Sequence, residues 1–167
     1  MKKARSAANR PTLPLLLGGG IALAAALLTR LTVGSPLAVI HKLDAFSVLP
    51  PLWILSLVWL AAFAWLGAAA GYLLACPPGS PKREADLWRG CTFAVLGAVF
   101  SLVWYTLLFG KFYLLPSWFC LPVSAAAAGI CGLSWGRIGK GGAAAALAFG
   151  AWQICLFLIQ LGVILHT

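Results

Sequence analysis

The sequence predicts an all-α membrane protein, a single bundle of five transmembrane helices, and three observations predict it. Of 167 residues, 62% are hydrophobic and only 9% are charged, more apolar surface than a soluble domain of this size can hide. Five apolar runs, about 13–31, 52–75, 92–109, 114–133 and 143–165, each have roughly the 17–25 residues that a ~30 Å hydrocarbon core requires. The charges fall between those runs, and Asp44, Glu84 and Asp86, the only acids, all read as loop residues. Lipid offers no partner for an open backbone, so such runs can only be helices.

The first run follows Lys2, Lys3, Arg5 and Arg10. Basic residues before an apolar stretch also describe a signal peptide, but the length of the run and the want of an A-x-A-like site favour a retained helix. Its Gly18-Gly19-Gly20 favours close helix contact, and Arg30 near its end can snorkel to the surface. The connection 33–51 is the longest and carries His41, Lys42, Asp44 and Phe46. It is expected to be a lid over a pocket. Pro50-Pro51 at its end sets an extended approach and then permits a helix start.

The second run carries Trp53, Trp59, Phe63, Trp65 and Tyr72 with Gly67-x-x-x-Gly71, a spacing that lets helices touch. The segment 76–90, with Pro77-Pro78-Gly79-Ser80-Pro81, reads as a cytoplasmic linker. The third run holds Gly97-x-x-x-Ser101, whose small face is the expected dimer contact, and then Trp104 and Tyr105. The fourth is alanine-rich from Ser124 to Ala128, with Trp118 and Trp135 near its ends. Arg137-Ile-Gly-Lys-Gly-Gly142 lacks the spacing and the strand-to-helix setting of a phosphate loop and reads as a tight turn. The fifth run holds Trp152, Gln153 and Gln160.

Charge sets the expected orientation. Lys2, Lys3, Arg5, Arg10, Lys82, Arg83, Arg89, Arg137 and Lys140 lie on one side of a five-span chain, against Arg30, Lys42 and Lys111 on the other. The richer side is cytoplasmic, which puts the N-terminus inside and the C-terminus outside. The net charge of +9 is thus topological, and spread over short loops it is no nucleic-acid footprint. Affinity for anionic headgroups follows from it.

Several function classes drop out. No carboxylate lies within a span, as an ion-coupled pump or antiporter requires. His41 and His166 sit at the outer edge, so no histidine pair can hold a haem iron in mid-membrane. Cys76, Cys91, Cys120, Cys131 and Cys155 show no metal-ligand spacing and read as small hydrophobes. No buried nucleophile stands beside a base, so no catalytic residue and no metal ligand is assigned.

The tryptophans carry what remains. Trp53, Trp88, Trp118 and Trp135 fall near span ends, the place of interfacial anchors. Trp59, Trp65, Trp104 and Trp152 fall deep inside runs, as packing or as the wall of a pocket. By helical rise, Trp59, Ser101, Trp104 and Gln160 lie roughly 8–12 Å below the outer boundary, and Trp65 and Trp152 near ~20 Å. Aromatic faces and a few polar groups converging in the outer half compose a pocket for a flat apolar ligand.

The order of residues also resembles a known family. Pro50-Pro51-Leu52-Trp53-Ile54-Leu55-Ser56-Leu57-Val58-Trp59 with Phe63 and Gly67 resembles the P-P-x-W-V-F-P-x-V-W-T opening of helix two in the tryptophan-rich sensory protein/translocator protein (TspO/MBR) family. Ser101-Leu102-Val103-Trp104-Tyr105-Thr106-Leu107-Leu108-Phe109-Gly110 is similar to its N-x-x-W-S-P-L-F-F-G, and Phe149-Gly150-Ala151-Trp152 with Gln160 to its Y-L-A-W followed by asparagine. Ser101 and Gln160 stand where the family has asparagine, Phe149 where it has tyrosine, and Ser56, Thr106 and Ala148 where it has proline.

The resemblance implies a five-helix bundle, usually a homodimer, that binds porphyrins such as protoporphyrin IX and often sterols. By position, Trp59 and Trp152 match tryptophans that line the family's pocket, and Trp53, Phe63, Ser101, Trp104, Phe149 and Gln160 match pocket or supporting positions. The expectation is a membrane receptor or sensor for a porphyrin or similar flat ligand, with no required cofactor. Alternatives are light-dependent porphyrin breakdown, or passive transport of porphyrin or lipid.

Overall fold

The computed structural model describes residues 12–33, 52–76 and 79–166. They form five helices: α1 (Thr12–Val33), α2 (Leu52–Ala75), α3 (Pro81–Tyr105), α4 (Leu114–Gly136) and α5 (Lys140–His166). A π-helical turn, Thr106–Gly110, continues α3. All five helices are long and apolar enough to cross a membrane, and the chain is a multi-pass integral membrane protein. The expected 33–51 lid, with His41, Lys42 and Asp44, lies outside the described residues beyond Val33, as do the basic residues before Thr12.

The helices follow one another around the bundle as α1, α2, α5, α4 and α3, with α3 touching α2 and α1 more lightly. One end holds the end of α1, the start of α2, the π turn and the start of α4; we call it the loop end. The other holds the α2–α3 and α4–α5 connections and is the ion-pair end. There the chain turns within residues 137–139, where Ile138 and Gly139 N–H donate to the Trp135 carbonyl at 2.9 and 2.8 Å, the tight turn expected.

Small residues set the α1–α2 contact. A Cβ on Gly67 would strike the Gly18 carbonyl, and one on Gly18 would lie 3.1 Å from the Gly71 Cα. Gly67-x-x-x-Gly71 therefore works inside the protomer, bringing two backbones together.

Three expectations change at the ion-pair end. Helix α3 begins at Pro81, so most of 76–90 is helix and only a few residues are linker. Ser80-Pro81 starts it, with proline in the first turn, and Glu84 suits the positive end of the helix dipole. Glu84 and Asp86 are thus helical, not loop, residues. Asp86 is buried and accepts from Arg137 Nη1 at 3.1 Å, with Arg89 Nη1 at 4.0 Å.

Trp135 is no interfacial anchor. It is 0% exposed, wedged where a side chain on Gly90 would stand, and its Nε1 donates to the Leu87 carbonyl at 3.4 Å. The Gly97/Ser101 face is equally internal, because both residues are buried and Ser124 Oγ of α4 donates to the Gly97 carbonyl at 2.7 Å. It cannot be the dimer contact.

Candidate functional site

Aromatic rings knit α2, α3 and α5 together in the middle of the bundle. Phe63 of α2 meets Phe149 of α5 edge to face at 5.4 Å. One turn nearer the loop end, Trp59 tilts against Phe63 at 4.9 Å and stacks on Tyr105 of α3 at 4.8 Å, 18° from parallel. The Trp59 indole is 2% exposed, and its Nε1 donates to Ser101 Oγ at 3.0 Å. Trp104 and Phe109 continue the cluster, each edge-on or tilted to Tyr105 at 6.2 and 4.7 Å. Offset or edge-on rings at these separations attract beyond simple burial, so the cluster is preorganised.

A second polar centre lies closer to the loop end. Trp104 Nε1 donates to Gln160 Oε1 at 2.7 Å. The Gln160 Nε2 group uses both hydrogens, to the Leu114 carbonyl at 2.8 Å and to Ser117 Oγ at 2.7 Å. Ser117 Oγ in turn donates to that same carbonyl at 2.9 Å. One amide thus ties α3 to the start of α4, beside the π turn. Single π turns within helices are frequent at functional sites.

Of the residues singled out by sequence, Trp59, Phe63, Ser101, Trp104, Phe149 and Gln160 are all buried, and the ring and hydrogen-bond contacts above join them. The polar groups expected to meet a ligand, Ser101 and Gln160, instead hold Trp59 and Trp104 in place. Trp53 stands apart, 67% exposed at the start of α2, which suits an interfacial anchor. Trp65, expected deep in the bundle, is 52% exposed; it lies in mid-span but on the outward face of α2, toward lipid. Trp118, expected at the interface, is half-buried and stacks on Phe157 at 4.6 Å, with its Nε1 enclosed.

Sequence reasoning left Gln153 without a role. It lies four residues from Phe149 and seven from Gln160, on the buried stripe of α5. Gln153 is 0% exposed, and neither its Oε1 nor its Nε2 has a hydrogen-bond partner among the described residues. The same holds for the Tyr105 hydroxyl and the Nε1 of half-buried Trp152. Buried polar groups are rarely left so. The heptad spacing of two glutamines on a tryptophan-bearing span was the available signal.

Comparison with protein-family models, with curated proteins and with solved structures gives no match.

Proposed function

We propose that the chain is an integral membrane receptor or sensor that binds a porphyrin, or a similarly flat hydrophobic ligand, among α2, α3 and α5. The observation that carries this reading is the Trp59–Tyr105 stack, a broad ring face fixed in orientation by the Trp59–Ser101 hydrogen bond. Around it lie polar groups with no partner among the described residues, namely Gln153 and Trp152 Nε1. Aromatic walls with a few orienting polar groups are the composition of a small-molecule site. A flat ligand there takes the place of Tyr105 on the Trp59 face, because the two rings stand one stacking interval apart. Arg30 and Lys111, toward the loop end, are suited to propionate carboxylates. The three motifs that resemble the TspO/MBR family fall on these same helices and favour the same ligand class, with sterols as the next candidates.

The ion-pair end carries Lys82, Arg83, Arg89, Arg137 and Lys140, the loop end Arg30 and Lys111. By the positive-inside rule the ion-pair end faces the cytoplasm, so the ligand site lies in the outer half. A homodimer, which the resemblance implies, needs a face other than Gly97/Ser101.

The test is a titration of the detergent-purified protein with protoporphyrin IX in the dark, followed by tryptophan quenching. Saturable binding weakened at least tenfold by Trp59→Phe is expected; no saturation, or a variant with unchanged affinity, rejects the assignment. A second reading, light-dependent porphyrin breakdown with dioxygen as oxidant, is favoured by the contacting oxidisable rings Trp59, Tyr105 and Trp104. Loss of the bound porphyrin's Soret band under light, abolished by Trp59→Phe/Trp152→Phe, distinguishes it from binding alone.

A further inference from the structure

We infer that Gln153 is the polar anchor of this site, and that its ligand presents a hydrogen-bond donor beside an acceptor on one uncharged edge. The inference rests on the reading that a flat ligand enters among α2, α3 and α5.

The placement follows from the register. Phe63 and Phe149 meet across α2 and α5. One turn nearer the loop end, α2 carries Trp59 and α5 carries Gln153, both facing the interior. The Gln153 amide therefore lies at the level of the Trp59 ring. Trp152, next to Gln153 in the chain, supplies one more polar group without a partner among the described residues.

The chemistry follows from the amide. Lipid holds no water to satisfy a buried polar group, and Gln160 on the same helix face shows that this fold can pair a glutamine completely. At Gln153 both the carbonyl oxygen and the N–H group are without a partner among the described residues. Their natural complement is an edge with an N–H or O–H donor beside a C=O: a lactam, a secondary cis-amide or a protonated carboxylic acid. Such an edge makes two parallel bonds, one in each direction.

Charge narrows the class. Helix α2 contains no Lys, Arg, Asp or Glu, α5 has only Lys140 at its first position, and the charged residues of α3, from Lys82 to Arg89, lie at the ion-pair end. An ionised carboxylate at Gln153 would be buried without a counter-ion on α2 or α5 at that depth, a large desolvation cost. The group at this position is neutral, whatever charge the ligand carries toward the loop end.

Two probes, with variants at Gln153, test this. Phenanthridin-6-one is a flat, uncharged lactam, and its N-methyl derivative carries a methyl group in place of the donor hydrogen, a steric change that the Gln153 variants control for. Binding of each to the detergent-purified full chain is followed by tryptophan quenching, with protoporphyrin IX titrated in parallel. The expected result is saturable lactam binding, at least tenfold weaker for the N-methyl compound. Gln153→Leu is expected to weaken lactam binding at least tenfold and to erase the difference between the probes. Gln153→Met provides the same comparison should the leucine variant not fold.

Equal affinities of the two probes for the natural protein overturn the inference, as does a difference that persists in the Gln153 variants. A protein that binds protoporphyrin IX but not the lactam overturns the Gln153 assignment and leaves the porphyrin reading standing. Binding of neither overturns both.

Discussion

Gln153 and Gln160 lie on one buried face of α5, two helical turns apart, and their amides have opposite fates. Gln160 makes three hydrogen bonds to Trp104, Leu114 and Ser117, whereas both polar atoms of Gln153 are without a partner among the described residues. Interhelical hydrogen bonds in membranes average about 0.6 kcal/mol, so Gln160→Leu is expected to destabilise the bundle by about 2 kcal/mol. Gln153→Leu removes an unmet polar group and is expected to leave stability within about 0.5 kcal/mol or to raise it. Reversible unfolding in mixed detergent measures both. Equal losses would mean that the Gln153 amide is satisfied in the folded protein.

The α1–α2 contact depends on the absence of side chains. Gly19 approaches α2 so closely that a Cβ on it would lie 3.4 Å from the Ala68 Cβ, near the separation a disulfide requires. In a background without the native cysteines, Gly19→Cys/Ala68→Cys is expected to oxidise to an intramolecular disulfide. Adding Gly67→Leu, which drives a side chain into the Gly18 backbone, is expected to abolish the crosslink while α2 to α5 remain assembled. Non-reducing electrophoresis after mild oxidation reads the result.

Gly90 has a comparable role at the ion-pair end. A methyl group there collides with the Trp135 indole, and Trp135 has no free side to move toward because it is wholly buried. Gly90→Ala is expected to cost about 1–3 kcal/mol by overpacking. Part of that loss should return with Trp135→Leu in the same chain, since the two sites are in contact and their effects do not add. Simple additivity in unfolding experiments would show that the collision is relieved elsewhere.

The five spans are legible in the sequence because run length and apolarity are local properties, and α2 and α4 begin at the residues where their runs begin. The start of α3 is not legible that way. Pro81 to Arg89 is polar, and membrane hydropathy stops where the helix continues beyond it. The buried series Asp86, Leu87, Gly90, Ala94 repeats at helical spacing and is the signal that run length overrides.

The site divides along similar lines. Depth counting collects Trp59, Ser101, Trp104 and Gln160 correctly into one half of the bundle. It cannot tell that Trp59 pairs with Ser101 and Trp104 with Gln160, because pairing depends on which helices are neighbours. Trp65 and Trp135 fail for one reason: depth along a helix says nothing about which face a residue occupies. Trp65 points outward at mid-span, and Trp135 points inward at a span end, where Gly90 makes room.

The Trp59–Tyr105 stack yields the sharpest prediction for ligand binding. Tyr105 covers one face of the indole at 4.8 Å, a distance that leaves no room for a third ring between them. A flat ligand that stacks on Trp59 from this side must first displace Tyr105 and lose that intramolecular contact, worth about 0.5–1.5 kcal/mol. Tyr105→Ala removes the competitor while leaving the Trp59 bond to Ser101 in place. Its expected effect is protoporphyrin IX binding tightened by about twofold to twelvefold, the same energy expressed as an affinity ratio. Trp59→Ala is expected to weaken binding in the same assay, since it removes the face itself. Were Tyr105→Ala to weaken binding as Trp59→Ala does, the tyrosine would be part of the ligand's own wall, and the ligand would stack on the far side of the pair.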